Sequence, residues 1–289
     1  MNKIYLFESG STKTTVLITN LNRSMDALNY ETLSLPGYNP NRPNVAFLEA
    51  LTSLSINPND QVYFYGSGLA SIEYQKELSE KFRTLFNCKI EVNGDLTGAA
   101  RATLHNSAGI VAILGTGGVV GYYNEGKIQS QFGGYGYLID DVGGGYELGK
   151  RIVSAWLNGE LSNKLELVIE RYLGVEKENF IREYYSGIIS SNQKNGLDLI
   201  GKLTKVLPPF MEENFIDEIV VDYFDVFFKR HVNPLMKKTG ISRFSIVGSI
   251  GWIFQKNILT VANRYGIEID TIIQYPAENL LKYHQKTKN

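Results

Sequence analysis

The sequence predicts an α/β protein built from two domains, each with a mixed β-sheet, and a cleft between them. The chain has 289 residues, about twice the commonest domain size of about 100–150 residues. Both halves show the order strand, turn, strand, strand, followed by alternating helices and strands, and a glycine-containing turn follows the first strand of each half. We therefore expect domains at residues 1–108 and 109–289, and we allow the final helix to pack back on the first domain.

The first half contains five predicted strands, rich in β-branched and aromatic residues and bounded by turn residues: Lys3–Glu8, Thr15–Asn20, Tyr30–Leu35, Gln61–Tyr65 and Lys89–Val92. Its clearest helix carries Leu78, Phe82, Leu85 and Phe86 on one face, at helical spacing. A helix of small residues over Leu96–His105 closes this half.

The second half repeats the pattern. Its predicted strands are Ile110–Leu114, Val119–Tyr123, Lys127–Phe132, Phe244–Val247 and Ile267–Ile273. Phe215–His231 and Trp252–Tyr265 are predicted to be single long helices. The order of elements recurs without any visible sequence repeat.

Composition excludes several classes of partner and site. The 30 acidic and 29 basic residues nearly cancel, so no overall field favours nucleic acid or an anionic membrane. A single cysteine, Cys88, excludes a disulfide framework and an iron–sulfur cluster within one chain. The longest aliphatic run, Ile110–Leu114, is far shorter than the roughly 20 residues that span a bilayer, and no signal peptide is visible. We expect a soluble, cytoplasmic protein.

Glycine is the unusual component. Of the 28 glycines, 13 lie between Gly109 and Gly149. Glycine serves where the backbone must approach a ligand closely or adopt positive φ, so this stretch is the predicted centre of the site.

Two turns have the composition of phosphate-binding loops. Residues 8–14 read Glu-Ser-Gly-Ser-Thr-Lys-Thr, and Gly115–Gly118 follows a buried strand at the matching place in the second half. Successive backbone N–H groups in such turns can hold phosphate oxygens, although ordinary hairpin turns have the same composition. Neither turn matches the P-loop pattern. The pair together predicts a clamp on a polyphosphate.

Three further features leave alternatives open. Asp95, between a strand and a helix, suits either a helix N-cap or a ligand-facing carboxylate at the carboxyl end of a strand. Residues 133–149 mix glycines, aromatics and acids, which suits a sugar or a disordered loop. Gly248-Ser249 fits an adenine contact or a plain strand–helix connection. His105, His231 and His284 show no metal-binding spacing, and we interpret them as structural or surface residues.

Taken in order, these motifs resemble those of N-acetylglucosamine kinases of the BadF/BadG/BcrA/BcrD ATPase family, within the actin/Hsp70/sugar-kinase superfamily. The resemblance runs from about residue 4 to residue 284, and its most specific part is the glycine–aromatic segment before Asp141. It implies two ribonuclease H-like (actin-like ATPase) domains and an ATP- and Mg²⁺-dependent kinase that acts as a homodimer.

The resemblance also implies roles for matching residues. The first phosphate loop would comprise Gly10, Ser11, Thr12 and Lys13, and the second would comprise Gly115, Thr116 and Gly117. Adenosine would lie beside Gly248 and Ser249. The amino sugar would be held by Asn39, Gly134, Tyr135 and Asp141. Glu8 would reach Mg²⁺ through water. Asp95 would be the general base for the 6-hydroxyl of the sugar, while it also caps its helix.

The chain departs from the family pattern near the sugar. Tyr135 stands where Trp is common, and Asp140 and Val142 stand where Gly and Glu are usual; Glu8 replaces the more frequent Asp. Glucosamine and N-acetylmuramic acid therefore remain alternatives to N-acetylglucosamine. Two other classes remain: a non-catalytic sugar or nucleotide sensor, and a dehydratase-activating ATPase, which the single Cys88 disfavours.

Overall fold

A computed structural model describes residues 2–10, 12–21, 29–42, 44–186 and 199–286. The chain divides into two compact units. The first comprises Met1–Ser107, Glu125–Lys127 and Tyr275–Asn289, and the second comprises Ala108–Asn124 and Ile128–Gln274. Among the described helices, none is long and apolar enough to cross a membrane.

The first unit is built on a five-stranded mixed sheet with the order β3-β2-β1-β4-β5. The strands are β1 (Lys3–Ser9), β2 (Lys13–Asn20), β3 (Glu31–Pro36), β4 (Gln61–Gly66) and β5 (Lys89–Gly94). Strands β1, β2 and β3 form an antiparallel meander, whereas β1, β4 and β5 run parallel. Parallel neighbours require crossover helices, which here are α1 (Val45–Thr52) and α2 (Ile72–Phe86).

Aromatic side chains fill the core of this unit. Phe64 stacks on Phe7 with ring centroids 5.5 Å apart, and Phe82 meets Phe7 edge-on at 5.4 Å. Helix α2 begins at a serine N-cap, where the Ser71 side chain accepts the Glu73 N–H. Burying the apolar face of α2 against the sheet is what fixes the path from β4 to β5.

Helix α3 (Asp95–Thr103) follows β5 directly, and the C-terminal helix of the chain (Ala277–Lys286) packs on α3, β1 and β2. Small residues allow the close approach of α3: a Cβ added to Gly98 would lie 2.9 Å from the Tyr65 ring. The Tyr65 hydroxyl also accepts a hydrogen bond from Arg101 Nη1 at 2.8 Å. These contacts fix the helix that begins at Asp95.

The second unit repeats the same sheet. Its order is β10-β9-β6-β7-β8, with β6 (Gly109–Leu114), β7 (Gly118–Asn124), β8 (Lys127–Gly133), β9 (Phe244–Val247) and β10 (Ile269–Ile273). Again the first strand pairs antiparallel with the second and parallel with the fourth. The predicted fold class, two mixed-sheet α/β domains, is confirmed.

The described part of this unit contains seven α-helices with complete bounds: α4 (Gly145–Leu157), α5 (Asn163–Leu173), α6 (Lys177–Tyr185), α7 (Asn214–Phe227), α8 (Asn233–Thr239), α9 (Ser249–Ile253) and α10 (Gln255–Arg264). Residues 199–203 are also helical. Their apolar faces enclose Trp156, Phe224, Phe227 and Phe228, all fully buried. This core lies against the β6–β9 face of the sheet.

Two helix predictions need correction. The helix predicted at Phe215–His231 is α7, followed by a π-helical turn over Phe228–Val232 and then α8. Pro234 lacks the N–H of a regular helix interior, and the wider turn lies directly before it. The helix predicted at Trp252–Tyr265 is two helices, α9 and α10, because the chain turns at the buried Phe254 (φ −102°, ψ 24°).

Candidate active site

The turn between β1 and β2 carries the first predicted phosphate loop. The Gly10 N–H donates to Lys13 O at 2.9 Å, which closes the turn, and Thr12 and Lys13 are exposed. Ser11 lies outside the described residues. The flanking hydroxyls are structural: Ser9 and Thr14 are buried and their Oγ atoms lie 2.7 Å apart. The turn therefore offers exposed donors on a base fixed by buried hydrogen bonds.

Asp95 lies where three parallel strands end. Ser9, Gly66 and Gly94 are the last residues of β1, β4 and β5, and the register places them side by side. Asp95 follows Gly94 directly, so its carboxyl group lies at the carboxyl edge of the sheet, where α/β proteins bind ligands. Glu8 lies one residue before the end of β1, at the same edge.

The expected helix cap needs a correction. Gly94 is the N-cap of α3, and Asp95 is its first residue. The Asp95 Oδ1 atom accepts the Leu96 N–H at 2.8 Å. The carboxyl group therefore satisfies a first-turn N–H from inside the helix, where a negative charge is also favoured by the helix dipole.

The carboxyl groups of Glu8 and Asp95 both have raised pKa values. Burial, reinforced by the negative charge of Asp95, raises the pKa of Glu8 to about 7, although Lys13 lowers it. Burial raises the pKa of Asp95 to about 6, against the opposing effect of the N–H groups of Leu96 and of Asp95 itself. Two neighbouring carboxyl groups with raised pKa values are typical of a site that handles protons or cations.

The carboxyl pair fits a role beside Mg²⁺. Oxygen ligands suit this ion, which usually keeps several waters and binds substrate phosphates. Within the described ranges, no cluster of three or more His, Cys, Asp or Glu side chains could hold a metal ion by itself. The donor set therefore fits an ion held mainly by phosphate and water, with Glu8 in support.

Asn39 lies near the same edge of the first unit. A Cβ added to Gly68, just after β4, would lie 3.3 Å from Asn39 Oδ1. This oxygen accepts the Asn41 N–H at 2.9 Å, and the Asn39 N–H donates to Asn44 Oδ1 at 3.0 Å. The Asn39 Nδ2 group makes no hydrogen bond to a described residue, so it is a free donor in a fixed turn.

The second predicted phosphate loop, Gly115–Gly117, connects β6 and β7. Its carbonyl groups are held by the start of α4: the N–H groups of Gly145 and Tyr146 donate to Gly115 O (2.8 Å) and Thr116 O (3.0 Å). The N–H groups of Thr116 and Gly117 make no hydrogen bond within the part of the chain that the structure describes. Fixed carbonyls and free N–H groups are what an anion site requires.

Close packing explains the glycine cluster. A Cβ added to Gly118 would lie 2.3 Å from Val142 O, and one added to Gly144 would lie 2.4 Å from the carbonyl carbon of Gly117. No larger residue fits at either place. The loop after β6 and the segment before α4 are therefore stacked backbone to backbone.

Asp141 lies against the second loop. A Cβ added to Gly117 would lie 2.7 Å from Asp141 Oδ2, and Asp141 Oδ1 accepts the Gly136 N–H at 3.2 Å. Burial raises the pKa of Asp141 to about 6, opposed by the Gly136 N–H and reinforced by the charges of Asp140 and Glu147. The carboxyl group predicted to bind sugar thus lies beside a predicted phosphate loop.

Gly134 and Tyr135 belong to the same segment as Asp141. The Gly134 N–H donates to Gly118 O at 2.9 Å, and the Tyr135 N–H donates to Asp140 O at 3.1 Å. The Tyr135 ring is 55% exposed. The ring face is therefore available to a ligand on a backbone held at two points.

Gly248 directly follows β9 and is the N-cap of α9, beside the second loop. Its φ is +120°, and an added Cβ would lie 2.4 Å from Leu114 O. Ser249 begins helix α9 directly afterwards. The structure thus brings Gly248 and Ser249 to the β6 edge that also carries Gly115.

Two residues that matter to this segment were missed by the sequence interpretation. Tyr223, on α7, accepts the Gly143 N–H at 2.7 Å and donates to Gly144 O at 2.6 Å. His231, in the π-helical turn, contacts Asp140 through Nε2 at 3.0 Å. Both lie about 80 to 90 residues away in the chain, and no local pattern marks either one.

Comparison with known proteins supports the fold. No protein-family model and no curated protein sequence matches the chain. A Porphyromonas gingivalis structure, provisionally assigned as an N-acetylglucosamine kinase, matches with a TM-score of 0.84 at 25% identity over 100% of both chains. A similarly assigned protein from Chromobacterium violaceum matches with a TM-score of 0.70 at 14% identity, over 98% of this chain and 99% of that one.

A ROK family glucokinase from Streptomyces griseus, solved with glucose and AMPPNP, matches with a TM-score of 0.60 at 12% identity, over 99% of this chain and 98% of that one. The two matches at lower identity show the fold alone. The chain therefore has an actin-like ATPase fold of the kind that sugar kinases use.

Proposed function

We propose that the protein is an ATP-dependent sugar kinase of the BadF/BadG/BcrA/BcrD type that phosphorylates an amino sugar, N-acetylglucosamine, at its 6-hydroxyl. The observation that carries the proposal is the carboxyl group of Asp95, fixed at the first residue of α3 beside Glu8, with its pKa raised to about 6. The full-length likeness to the Porphyromonas gingivalis protein supports the choice of sugar.

The phosphate groups of ATP would be held by backbone N–H groups. Thr116 and Gly117 supply N–H groups that have no described partner, on a loop whose carbonyls are fixed by α4. Gly10, Ser11, Thr12 and Lys13 form the corresponding loop of the first unit, and Gly248 and Ser249 would contact adenosine. Charge spread over the transferred phosphoryl group needs such donors on several sides. When bound with ATP, Mg²⁺ supplies further neutralisation of the phosphate oxygens.

Asp95 would act as the general base. The sugar O6 atom attacks the γ-phosphorus in line, the bond from that phosphorus to the β,γ-bridging oxygen breaks, and the hydroxyl proton passes to Asp95. A base whose pKa lies near the operating pH is efficient because it is ionised and still basic. The raised pKa of Asp95 meets this requirement.

The sugar would be held by polar groups and one aromatic face. Asn39 offers its free Nδ2 group, Asp141 a carboxyl group and Gly134 a backbone turn at positive φ. The exposed ring of Tyr135 would stack on the apolar face of the sugar. Because ATP is the donor, we place the reaction in the cytoplasm, and we expect a homodimer.

The dehydratase-activating alternative gains no support. Cys88 is buried in the core of the first unit, and burial raises the pKa of its thiol. A buried, protonated thiol is a poor cluster ligand.

An ADP-release assay tests the proposal. The panel comprises N-acetylglucosamine, glucosamine, N-acetylmuramic acid and glucose, each with Mg²⁺ and ATP. We expect N-acetylglucosamine to give the highest kcat/KM. We expect Asp95→Asn to lower kcat by about 100-fold or more, since proton transfer by a placed base contributes about 10²–10⁴. Neutralising a buried carboxyl group should leave the fold intact, which a melting curve checks.

Glu73→Gln is the matched control. Glu73 is an exposed acid in the first turn of α2. Its substitution by Gln therefore changes only the charge of that helix, and the kcat of the variant should stay at the wild-type value. Wild-type turnover by Asp95→Asn with every accepted sugar would refute the assigned base. ATP binding without turnover of any sugar would favour a sensor.

A further inference from the structure

A pair formed by the buried His231 and the partly buried Asp140 lies at the base of the segment that carries the proposed sugar residues. The His231 side chain is 3% exposed, and its Nε2 atom lies 3.0 Å from Asp140 Oδ2. The Phe227 ring meets the imidazole edge-on, with centroids 5.7 Å apart. The imidazole is therefore fixed on one side by an aromatic ring and on the other by a carboxylate.

The same imidazole contacts the other end of the segment. A Cβ added to Gly133, the last residue of β8, would lie 3.2 Å from His231 Cε1 and 3.4 Å from Nδ1. Gly133 and Asp140 bound the loop 133–140. The His231 ring thus lies close to Gly133 at one end of this loop and contacts Asp140 at the other.

Hydrogen bonds within the loop connect Asp140 to Tyr135 and Gly136, and Gly136 to Asp141. The Asp140 O atom accepts the Tyr135 N–H at 3.1 Å, and the Asp140 N–H donates to Gly136 O at 3.0 Å. The Gly136 N–H in turn donates to Asp141 Oδ1 at 3.2 Å. A displacement of Asp140 would therefore move Tyr135 and Asp141 together.

The loop has little packing of its own to hold it. Gly133, Gly134 and Gly136 all have positive φ, and Leu138 and Ile139 are 82% and 78% exposed. Tyr137 makes one edge contact with Tyr146, and the Gly134 N–H fixes the first end on Gly118. At the other end, the Asp140 side chain contacts His231, and the next residue, Asp141, accepts the Gly144 N–H through its backbone O at 3.1 Å.

Stability alone is a weak reason for this pair. Asp140 Oδ1 and His231 Nδ1 are buried and have no hydrogen-bond partner among the described residues. Leaving each of these polar atoms unsatisfied costs free energy, which offsets part of what the His231–Asp140 hydrogen bond contributes to stability. Arg230 Nη2 lies 3.4 Å from Asp140 Oδ2, and the Arg230 side chain is 56% exposed, so its contribution is small.

We propose that His231, acting through Asp140, is a positioning residue that holds the loop 133–141 in the geometry used to bind the sugar. The inference rests on the proposed function and deepens it. It assigns no chemistry to His231, whose effect reaches the substrate only through Tyr135 and Asp141.

Hydrogen exchange tests the positioning role without any substrate. The variants are His231→Leu, which loses the hydrogen bond, and His231→Gln, which can still donate from near the place of Nε2. Arg230→Gln is the control. We expect amides of residues 133–141 to exchange about tenfold faster in His231→Leu, the effect of losing one hydrogen bond of about 1.4 kcal/mol. His231→Gln and Arg230→Gln should stay close to the wild type, and amides of α2 should be unchanged in all three.

Steady-state kinetics test the link to the sugar. In His231→Leu we expect the KM for the sugar to rise about fivefold or more, with kcat and the KM for ATP within about twofold of the wild type, the pattern of a lost binding geometry. His231→Gln should recover most of the loss. Should His231→Leu fail to fold, Asp140→Ala removes the same hydrogen bond from the loop side, with the same expected changes.

Each outcome is decisive. Wild-type exchange of the loop in both His231→Leu and Asp140→Ala overturns the inference, as does an unchanged KM for the sugar in a variant whose loop exchange has risen. A wild-type protein that phosphorylates no sugar refutes the proposed function instead, and the exchange data still decide whether His231 holds the loop.

Discussion

The Asp95 carboxyl group takes part in two interactions. It accepts the Leu96 N–H in the first turn of α3, and it lies close enough to Glu8 for its charge to raise the pKa of that side chain. The hydrogen bond fixes the orientation of the carboxyl group, while burial keeps it basic. A carboxylate that was only a helix cap would need neither the burial nor the acidic neighbour.

The raised pKa of Asp95 predicts how kcat/KM falls at acidic pH. Burial raises the pKa to about 6 from an ordinary value of 3.8, so protonation removes the base as the pH falls through about 6. Glu8, whose pKa is raised to about 7, also loses its charge in this range. We expect kcat/KM for the sugar, at saturating Mg²⁺ and ATP, to be constant above about pH 8 and to fall by at least tenfold per pH unit below about pH 6.

A pH profile of the wild type and of Glu73→Gln checks this expectation. The two proteins should show the same fall in activity at acidic pH, because Glu73 is exposed and is not among the groups that shift the pKa of Asp95. A kcat/KM that stays constant down to pH 5 would contradict the assignment of Asp95 as a base.

Individual site residues were predictable only where their neighbours in sequence mark them. Asp95 directly follows a strand, and Gly115–Gly117 directly follows another, so local pattern marked them as candidates, and the family resemblance then assigned their roles. His231 lies 91 residues from Asp140, and its partner is set by the π-helical turn that no periodicity signals. The interpretation of His231 as a structural or surface residue agrees with its burial, but it did not identify Asp140 as its partner.

Among the elements, helix α7 supports the glycine segment through one side chain. The buried Tyr223 hydroxyl bridges the N–H of Gly143 and the carbonyl of Gly144, just before α4 begins. Burial raises the pKa of this hydroxyl, so it stays protonated and able to donate. The same α4 start holds the carbonyls of the second phosphate loop.

Removing this bridge should cost stability. We expect Tyr223→Phe to lower the free energy of unfolding by about 1–3 kcal/mol, because the buried Gly143 N–H loses its acceptor. Urea unfolding measures the change. The control is Tyr265→Phe, whose hydroxyl donates to Asp225 O at a long 3.4 Å, and its loss should be below about 0.5 kcal/mol. Equal losses in the two variants would show that the bridge does not support the segment.

Strands were predicted better than long helices. Alternating β-branched and aromatic residues mark the strands, and their observed bounds differ from the predicted ones by one or two residues at most ends. The turn at Phe254 lies at a buried residue, and the π-helical turn at Phe228–Val232 lies directly before Pro234. Apolar periodicity continues through both places, so it could not reveal them.

In the whole molecule, two sheets with one strand order explain the placement of the motifs. In each unit the glycine turn follows the central strand, β1 or β6, which pairs antiparallel with the next strand and parallel with the fourth. The recurring order of elements in the sequence predicted two mixed sheets, but it predicted neither the strand order nor the pairing. The stacking of Gly117 and Gly144 was not predictable, because it depends on residues that only the fold brings together.

The central claim is that the protein transfers the γ-phosphoryl group of ATP to the 6-hydroxyl of an amino sugar. Proton-coupled phosphorus NMR of a reaction with N-acetylglucosamine, Mg²⁺ and ATP tests it most directly. We predict a new phosphomonoester signal that is a triplet, because two protons on C6 couple to the phosphorus, together with an equal amount of ADP. A doublet from an anomeric phosphate, or inorganic phosphate formed equally with and without sugar, would contradict the account.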